Sequence, residues 1–154
     1  MDFFNLVRNN KIKQIKKLVK QDRSLLHKAN EHGFTPLVLA SYNRHAELTR
    51  YLLEEGVDTE AVDASGNTAL MGVCFKGFKD IAQILLEHGA NPNAQNNNGA
   101  TALIYSATFA QVDIAKLLVE FGADKEISDN GGNTALLHAK FQGVKKIVKL
   151  LNSH

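Results

Sequence analysis

Four glycines, Gly33, Gly66, Gly99 and Gly132, stand 33 residues apart. Thr35, Thr68, Thr101 and Thr134 keep the same step, as do Leu37, Leu70, Leu103 and Leu136. Gly56, Gly89 and Gly122 form a further series, and Leu52, Leu85, Leu118 and Leu151 another. Five series held in one register, without insertion or deletion, are beyond coincidence. A fixed period of this length means stacked supersecondary units, each too small to bury its apolar face alone. The chain is therefore expected to form an elongated stack.

Each unit carries the signals for a turn and two helices. The Thr hydroxyl is placed to cap a first helix by accepting from a backbone N–H of its first turn. Pro36 follows at the first helical position, where a missing N–H costs nothing. Gly33 and its repeats permit a positive φ just before that cap. Leu37 and Ala40 mark the buried face of the first helix. Small residues at the latter position (Ala40, Val73, Ser106, Ala139) let the next helix approach. A second helix carries Leu48, Leu52 and Leu53, then Ile81, Leu85 and Leu86, then Ile114, Leu117 and Leu118, in i, i+4 spacing. Gly56, Gly89 and Gly122 are placed to end it in a left-handed conformation. Polar, Gly- and Asn-rich segments then lead to the next Thr, as hairpin loops do.

These motifs resemble the ankyrin repeat. Asn30-Glu31-His32-Gly33-Phe34-Thr35-Pro36-Leu37 is similar to that family's D-x-x-G-x-T-P-L. Asp63 to Leu70, Asn96 to Leu103 and Asp129 to Leu136 repeat it with Ala in place of Pro. Leu86-Glu87-His88-Gly89-Ala90-Asn91 and Val119-Glu120-Phe121-Gly122-Ala123-Asp124 resemble its L-x-x-G-A-D ending. The resemblance implies an all-α ankyrin-repeat solenoid: paired antiparallel helices joined by β-hairpin-like loops. The whole chain, 1–154, is expected to be one domain. Its units are an N-terminal cap (1–29), three full repeats (30–62, 63–95, 96–128) and a C-terminal cap (129–154). One departure stands out. The family's His after T-P-L is replaced by Val38, Met71, Ile104 and Leu137, so an apolar column is expected where the family has a polar network.

The ends differ from the middle in charge. Residues 1–29 carry eight basic against two acidic groups, and residues 129–154 four against one. Residues 30–128 carry six basic against thirteen acidic, and the net formal charge is +2. In the first unit Asp2 is the expected helix cap, Phe4 takes the Leu37 place and Val7 the Ala40 place. Ile15 and Leu18 head its second helix. Lys11, Lys13, Lys16, Lys17 and Lys20 at one end, and Lys140, Lys145, Lys146 and Lys149 at the other, suit the solvated outer faces that terminal repeats need. They also carry the alternative reading: an electrostatic binder of nucleic acid or anionic membrane. Aromatic residues interleaved for base stacking are absent there, which makes nucleic acid the weaker reading. The first twenty residues hold no apolar stretch of signal-peptide length, and no segment reaches membrane-spanning length. A cytoplasmic, monomeric protein is expected, without excluding secretion that uses no cleaved signal.

No set of residues suggests catalysis. Cys74 is the single cysteine, so neither an intrachain disulfide nor a multi-cysteine zinc site is available. It falls at a small-residue position of a first helix, as a buried thiol would. His27, His32, His45, His88, His138 and His154 are scattered, without metal-ligand spacing. His45 matches the family's His in the turn between helices, and His88 precedes a helix-ending Gly where a cation suits the dipole. Lys76, Lys79 and Asp80 read as a solvated face. Gly131-Gly132 is a hairpin turn with no P-loop Lys following it. No enzyme activity, cofactor or metal is expected.

In ankyrin domains the hairpin tips and the open side of the first helices make a concave binding surface. Carried over by residue, that surface is His32 and Phe34, Ser65 and Asn67, Asn97 and Asn98, and Asn130 and Asn133 at the tips. On the helices it is Tyr42 and Asn43, Phe75 and Lys76, Thr108 and Phe109, and Phe141 and Gln142. Tyr42, Phe75 and Phe141 are equivalent positions, and Phe109 is one residue beyond its equivalent, Thr108. With units spaced about 10 Å apart, as packed helices are, these rings would form a stripe. Two readings follow: an apolar docking strip with a polar Asn rim, or rings tucked sideways against the next unit. The expected function is a non-catalytic protein–protein interaction module, adaptor or inhibitor, whose protein partner the residues do not identify.

Overall fold

The computed structural model describes residues 2–153. Its helices follow in pairs: α1 (Phe3–Arg8) with α2 (Ile12–Gln21), α3 (Pro36–Tyr42) with α4 (Ala46–Glu54), and α5 (Ala69–Lys76) with α6 (Lys79–Glu87). Then come α7 (Ala102–Thr108) with α8 (Val112–Glu120) and α9 (Ala135–Gln142) with α10 (Lys145–Ser153). A 3₁₀ turn, Arg23–His27, follows α2. First helices pack in one row, α1 on α3, α3 on α5, α5 on α7 and α7 on α9. Second helices α4, α6, α8 and α10 form a parallel row behind them. No β-strand occurs among the described residues, and one isolated antiparallel bridge joins Ser128 and Thr134. The loops turn as hairpins but scarcely pair as strands.

The local chemistry explains the regularity. Thr35, Thr68, Thr101 and Thr134 each accept from the N–H three residues on, at 3.2, 3.3, 3.2 and 3.3 Å. Asp2 does the same for α1 at 2.8 Å. Pro36 opens α3 at its first turn. Behind these caps Ala40, Val73, Ser106 and Ala139 are fully buried. Leu48, Leu52, Ile81, Leu85, Ile114 and Leu118 fill the second row with almost no exposure. Removing apolar surface of this size from water is the dominant stabilisation. It is spread along the stack, because each unit buries its face against its neighbours.

The first helix pair departs from the repeat by one residue. The residue at positive φ between the two helices is Arg44, Gly77, Ala110 or Gly143 in the later pairs, but Asn10, one place early, in the first. α1 is accordingly one residue shorter than α3, and α2 one longer than α4. Register is restored by Ile15 and Val19, both buried like Leu48 and Leu52. Burial in α1 also differs from expectation. Phe3 is buried and Phe4 only partly so, although Phe4 stands at the Leu37 position. Leu18 is likewise only partly buried.

Candidate concave docking surface

The hairpin tips are held by one repeated device. An Asn or Asp opens each hairpin, and its Oδ1 accepts two backbone N–H bonds. Asn30 accepts from His32 and Phe34, Asp63 from Ser65 and Asn67, Asn96 from Asn98 and Ala100, and Asp129 from Gly131 and Asn133, all at 2.9–3.0 Å. This tightens the turn and leaves the second side-chain atom to face the following first helix. Successive hairpins are then tied together. Asn97 donates its N–H to Ser65 O and its Nδ2 to Ala64 O, both at 3.1 Å. Asn130 repeats the pair toward Asn98 O and Asn97 O, both at 3.0 Å. Ala64 holds the equivalent place one unit earlier, where a side-chain tie is impossible.

What meets the second atom varies along the stack. Nine residues after Asp129, His138 sets Nε2 2.8 Å from Asp129 Oδ2. Nine after Asn96, Tyr105 accepts from Asn96 Nδ2 at 3.0 Å, and that amide also reaches Asn67 Oδ1 at 2.9 Å. The Tyr105 hydroxyl donates on to Asn67 Oδ1 at 3.2 Å. Nine after Asn30 stands Leu39, and Asn30 Nδ2 is buried without a partner among the described residues. Nine after Asp63 stands Gly72. The expected apolar column exists, since Val38, Met71 and Ile104 are buried and Leu137 half-buried. The inference that it replaces polar contact between units needs correcting. Polar contact persists one position further along the first helix, through Tyr105 to Asn67 of the preceding unit. His138 closes its own unit in the same place.

A groove of about 330 Å³ lies beside Gly72. Tyr42, Met71, Phe75 and Phe109 line it, with Asp63, Asn67 and Tyr105 toward the hairpin side. A Cβ at Gly72 would lie 3.2 Å from Tyr42 Cδ1, so the tyrosine ring leans directly over the glycine. Phe75 and Phe109 meet edge to face at 4.9 Å, and Phe109 stacks on Tyr105 at 6.1 Å. The rings thus touch across units and still stay open: Tyr42 is 41%, Phe75 44%, Phe109 44% and Phe141 67% exposed. The stripe combines sideways contact between Phe75 and Phe109 with outward exposure. Phe141 stands apart from Phe75 and Phe109, with its edge against His138 at 6.3 Å. Phe34 lines the near end of the groove beside His32.

Other candidate residues serve the scaffold as well as facing solvent. Asn43 Nδ2 donates to Leu39 O at 2.7 Å and Thr108 Oγ1 to Ile104 O at 2.8 Å, each satisfying the end of its own helix. Asn67 is already an acceptor for Asn96 and Tyr105. Ser65, Asn98 and Gln142 are exposed, and Asn133 is half-buried. Lys76 folds back so that its ammonium lies 5.0 Å from the Tyr42 ring centroid and 5.7 Å from that of Phe78.

Several of the groups considered for chemistry have structural partners, and His154 lies outside the described residues. Cys74 is fully buried, and burial pushes its thiol far above the ordinary cysteine range. His45 sets Nε2 2.7 Å from Arg8 O, tying the second unit to the end of α1. His88 bonds Ile84 O at 2.8 Å. Asp80 pairs with Arg44 at 3.4 Å. Among the described residues no cluster of three or more His, Cys, Asp or Glu could hold a metal ion. Also among them, no helix is long and apolar enough to cross a membrane. The lysines of α2 are exposed, and Lys16 lies 5.1 Å over the Tyr51 ring.

A row of capped helix pairs with an open aromatic groove along its first helices defines a helical repeat scaffold. The family described as Ankyrin repeats (3 copies) matches residues 3–96 and 88–154, and the chain belongs to that family. Ankyrin repeats form a non-catalytic family of scaffolds that mediate protein contacts. Curated relatives match over parts of the chain. Protein fem-1 homolog A-like of Mus musculus is 45% identical over 53 residues, 34% of this chain and 8% of that protein. The NAD-capped RNA hydrolase NUDT12 of Homo sapiens is 38% identical over 61 residues, 40% of this chain and 13% of that protein. The matched stretches are thus small parts of the relatives' length.

Proposed function

We propose that this chain binds a protein partner through its concave face. Five 33-residue units, the outer two acting as caps, would present the groove as a monomeric adaptor or inhibitor. The observation that carries the reading is the row of half-exposed rings, Tyr42, Phe75 and Phe109, around an open groove on adjacent first helices. Aromatic anchors of this kind dominate binding energy at protein interfaces. The remaining tip residues, His32, Ser65, Asn97, Asn98 and Asn130, supply a polar rim. The names of the curated relatives describe those proteins, and no RNA chemistry is carried over from them.

The test is affinity capture from the cells that make this protein, comparing the wild-type chain with Phe75→Ala/Phe109→Ala. Each ring is more than two-fifths exposed, so the double variant should keep its helical signal. It should lose its partner at least tenfold. Undiminished capture by the folded variant would refute the concave-face reading. Capture that ignores the double substitution but collapses with added salt would place binding on the basic ends instead.

A further inference from the structure

The four hairpins differ in how the residue that opens them is satisfied, and one acidic member is left open. Asp129 Oδ2 receives His138, and the Asn96 amide is engaged by Tyr105 and Asn67. Asp63 is built into its hairpin through Oδ1 alone, at 2.9 Å to Ser65 N and 3.0 Å to Asn67 N. No hydrogen bond reaches its Oδ2 from the described residues, because Gly72 occupies the place of His138. Gly72 also lines the groove. An acidic acceptor, partly screened from water, therefore stands beside a slot walled by Tyr42, Phe75 and Phe109.

We propose that this slot takes an arginine side chain from the partner polypeptide, its guanidinium donating to Asp63 Oδ2 as His138 does to Asp129. The assignment rests on the concave-face reading and specifies its chemistry. The carboxylate asks for a cationic N–H donor. The aromatic walls ask for a flat, weakly hydrated cation on an apolar stem, which describes guanidinium better than ammonium. Tyr42 already carries a cation on its ring, since Lys76 lies 5.0 Å from the centroid without lining the groove. The units between the caps carry excess negative charge, thirteen acidic against six basic groups over residues 30–128, so a basic segment is also favoured at longer range.

The probe is N-acetyl-arginine N-methylamide, titrated into the full ¹⁵N-labelled chain while amide shifts are followed. The controls are the citrulline and lysine analogues. Citrulline keeps the shape of arginine without its charge. Saturable shifts at Asp63, Gly72 and Phe75 are expected, with affinity at least tenfold weaker for citrulline and at least threefold weaker for lysine. Asp63→Asn should also weaken the arginine probe at least tenfold. That variant keeps its hairpin, since Asn30 and Asn96 close theirs with the same amide oxygen. Gly72→His, which supplies an internal donor, should abolish the shifts. Equal affinity for citrulline or lysine, or arginine shifts that survive Asp63→Asn, would overturn the proposal. In the cellular capture, Asp63→Asn retaining a partner that Phe75→Ala/Phe109→Ala loses would overturn the arginine assignment while leaving the concave-face reading standing.

Discussion

The hairpins at 63–68 and 129–134 share the same turn chemistry. An aspartate opens each, its Oδ1 accepts two N–H bonds, a glycine follows at positive φ, and a Thr caps the next helix. They differ nine residues after the aspartate, where one has Gly72 and the other His138. In the C-terminal unit the imidazole meets the second carboxylate oxygen. In the interior unit the carboxylate borders an open groove. The repeated positions of the fold serve turns and caps. The unrepeated positions of the first helices decide where the surface is open.

The largest test of this comparison is steric. Gly66 and Gly132 are equivalent and both lie near φ +80°. A Cβ on Gly66 would come within 2.5 Å of Asn97 Oδ1 and 2.9 Å of Asn97 N, whereas one on Gly132 meets nothing within 4 Å. Gly66→Ala should therefore cost about 2–4 kcal/mol, left-handed strain plus overpacking. Gly132→Ala should cost only the strain, about 1–2 kcal/mol. Urea unfolding of the two variants measures the gap, and equal losses would show that the hairpin tie through Asn97 contributes nothing.

Smaller in size is the contribution of the closed carboxylate. Asp129 is held below the ordinary carboxylate range, first by the His138 hydrogen bond and then by the Asn133 N–H. A depressed folded pKa means stability that is fully present above the unfolded value of about 4. That stability is lost as pH falls through the folded value. His138→Ala should cost about 1 kcal/mol near neutral pH and flatten the acid side of the stability curve. An unchanged acid limb would remove His138 from the account.

The smallest effect is a gain. Ala110 holds φ +58° where Gly77 and Gly143 stand in neighbouring units. Ala110→Gly should raise stability by up to about 1 kcal/mol, because the left-handed strain is relieved at some cost in chain entropy. Thermal melting checks the sign.

The scaffold was legible because its physics repeats. Thr35 and its equivalents, the Leu52 series and the small residues behind the caps do one job each, every 33 residues. The site was legible only in part. Tyr42, Phe75, Phe109 and Phe141 could be named as a stripe, but their exposure depends on neighbours in adjacent units. Gly72 gave no signal, since it lines the groove with backbone alone, between Tyr42 and the Asp63 hairpin. The contact of Tyr105 and Asn96 with Asn67 is not legible in one repeat, because it joins two units. The early turn at Asn10 was hidden by the intact 33-residue register of Asp2 and Ile15 on either side.

The central claim is that the aromatic groove of the first helices is where a partner sits. Hydroxyl-radical footprinting of the captured complex against the free chain tests it directly. Phe121 serves as internal reference, being 39% exposed at the end of α8, a second helix. Oxidation of Tyr42, Phe75 and Phe109 should fall severalfold in the complex while that of Phe121 is unchanged. Protection of Phe121 with the three groove rings still fully reactive would contradict it.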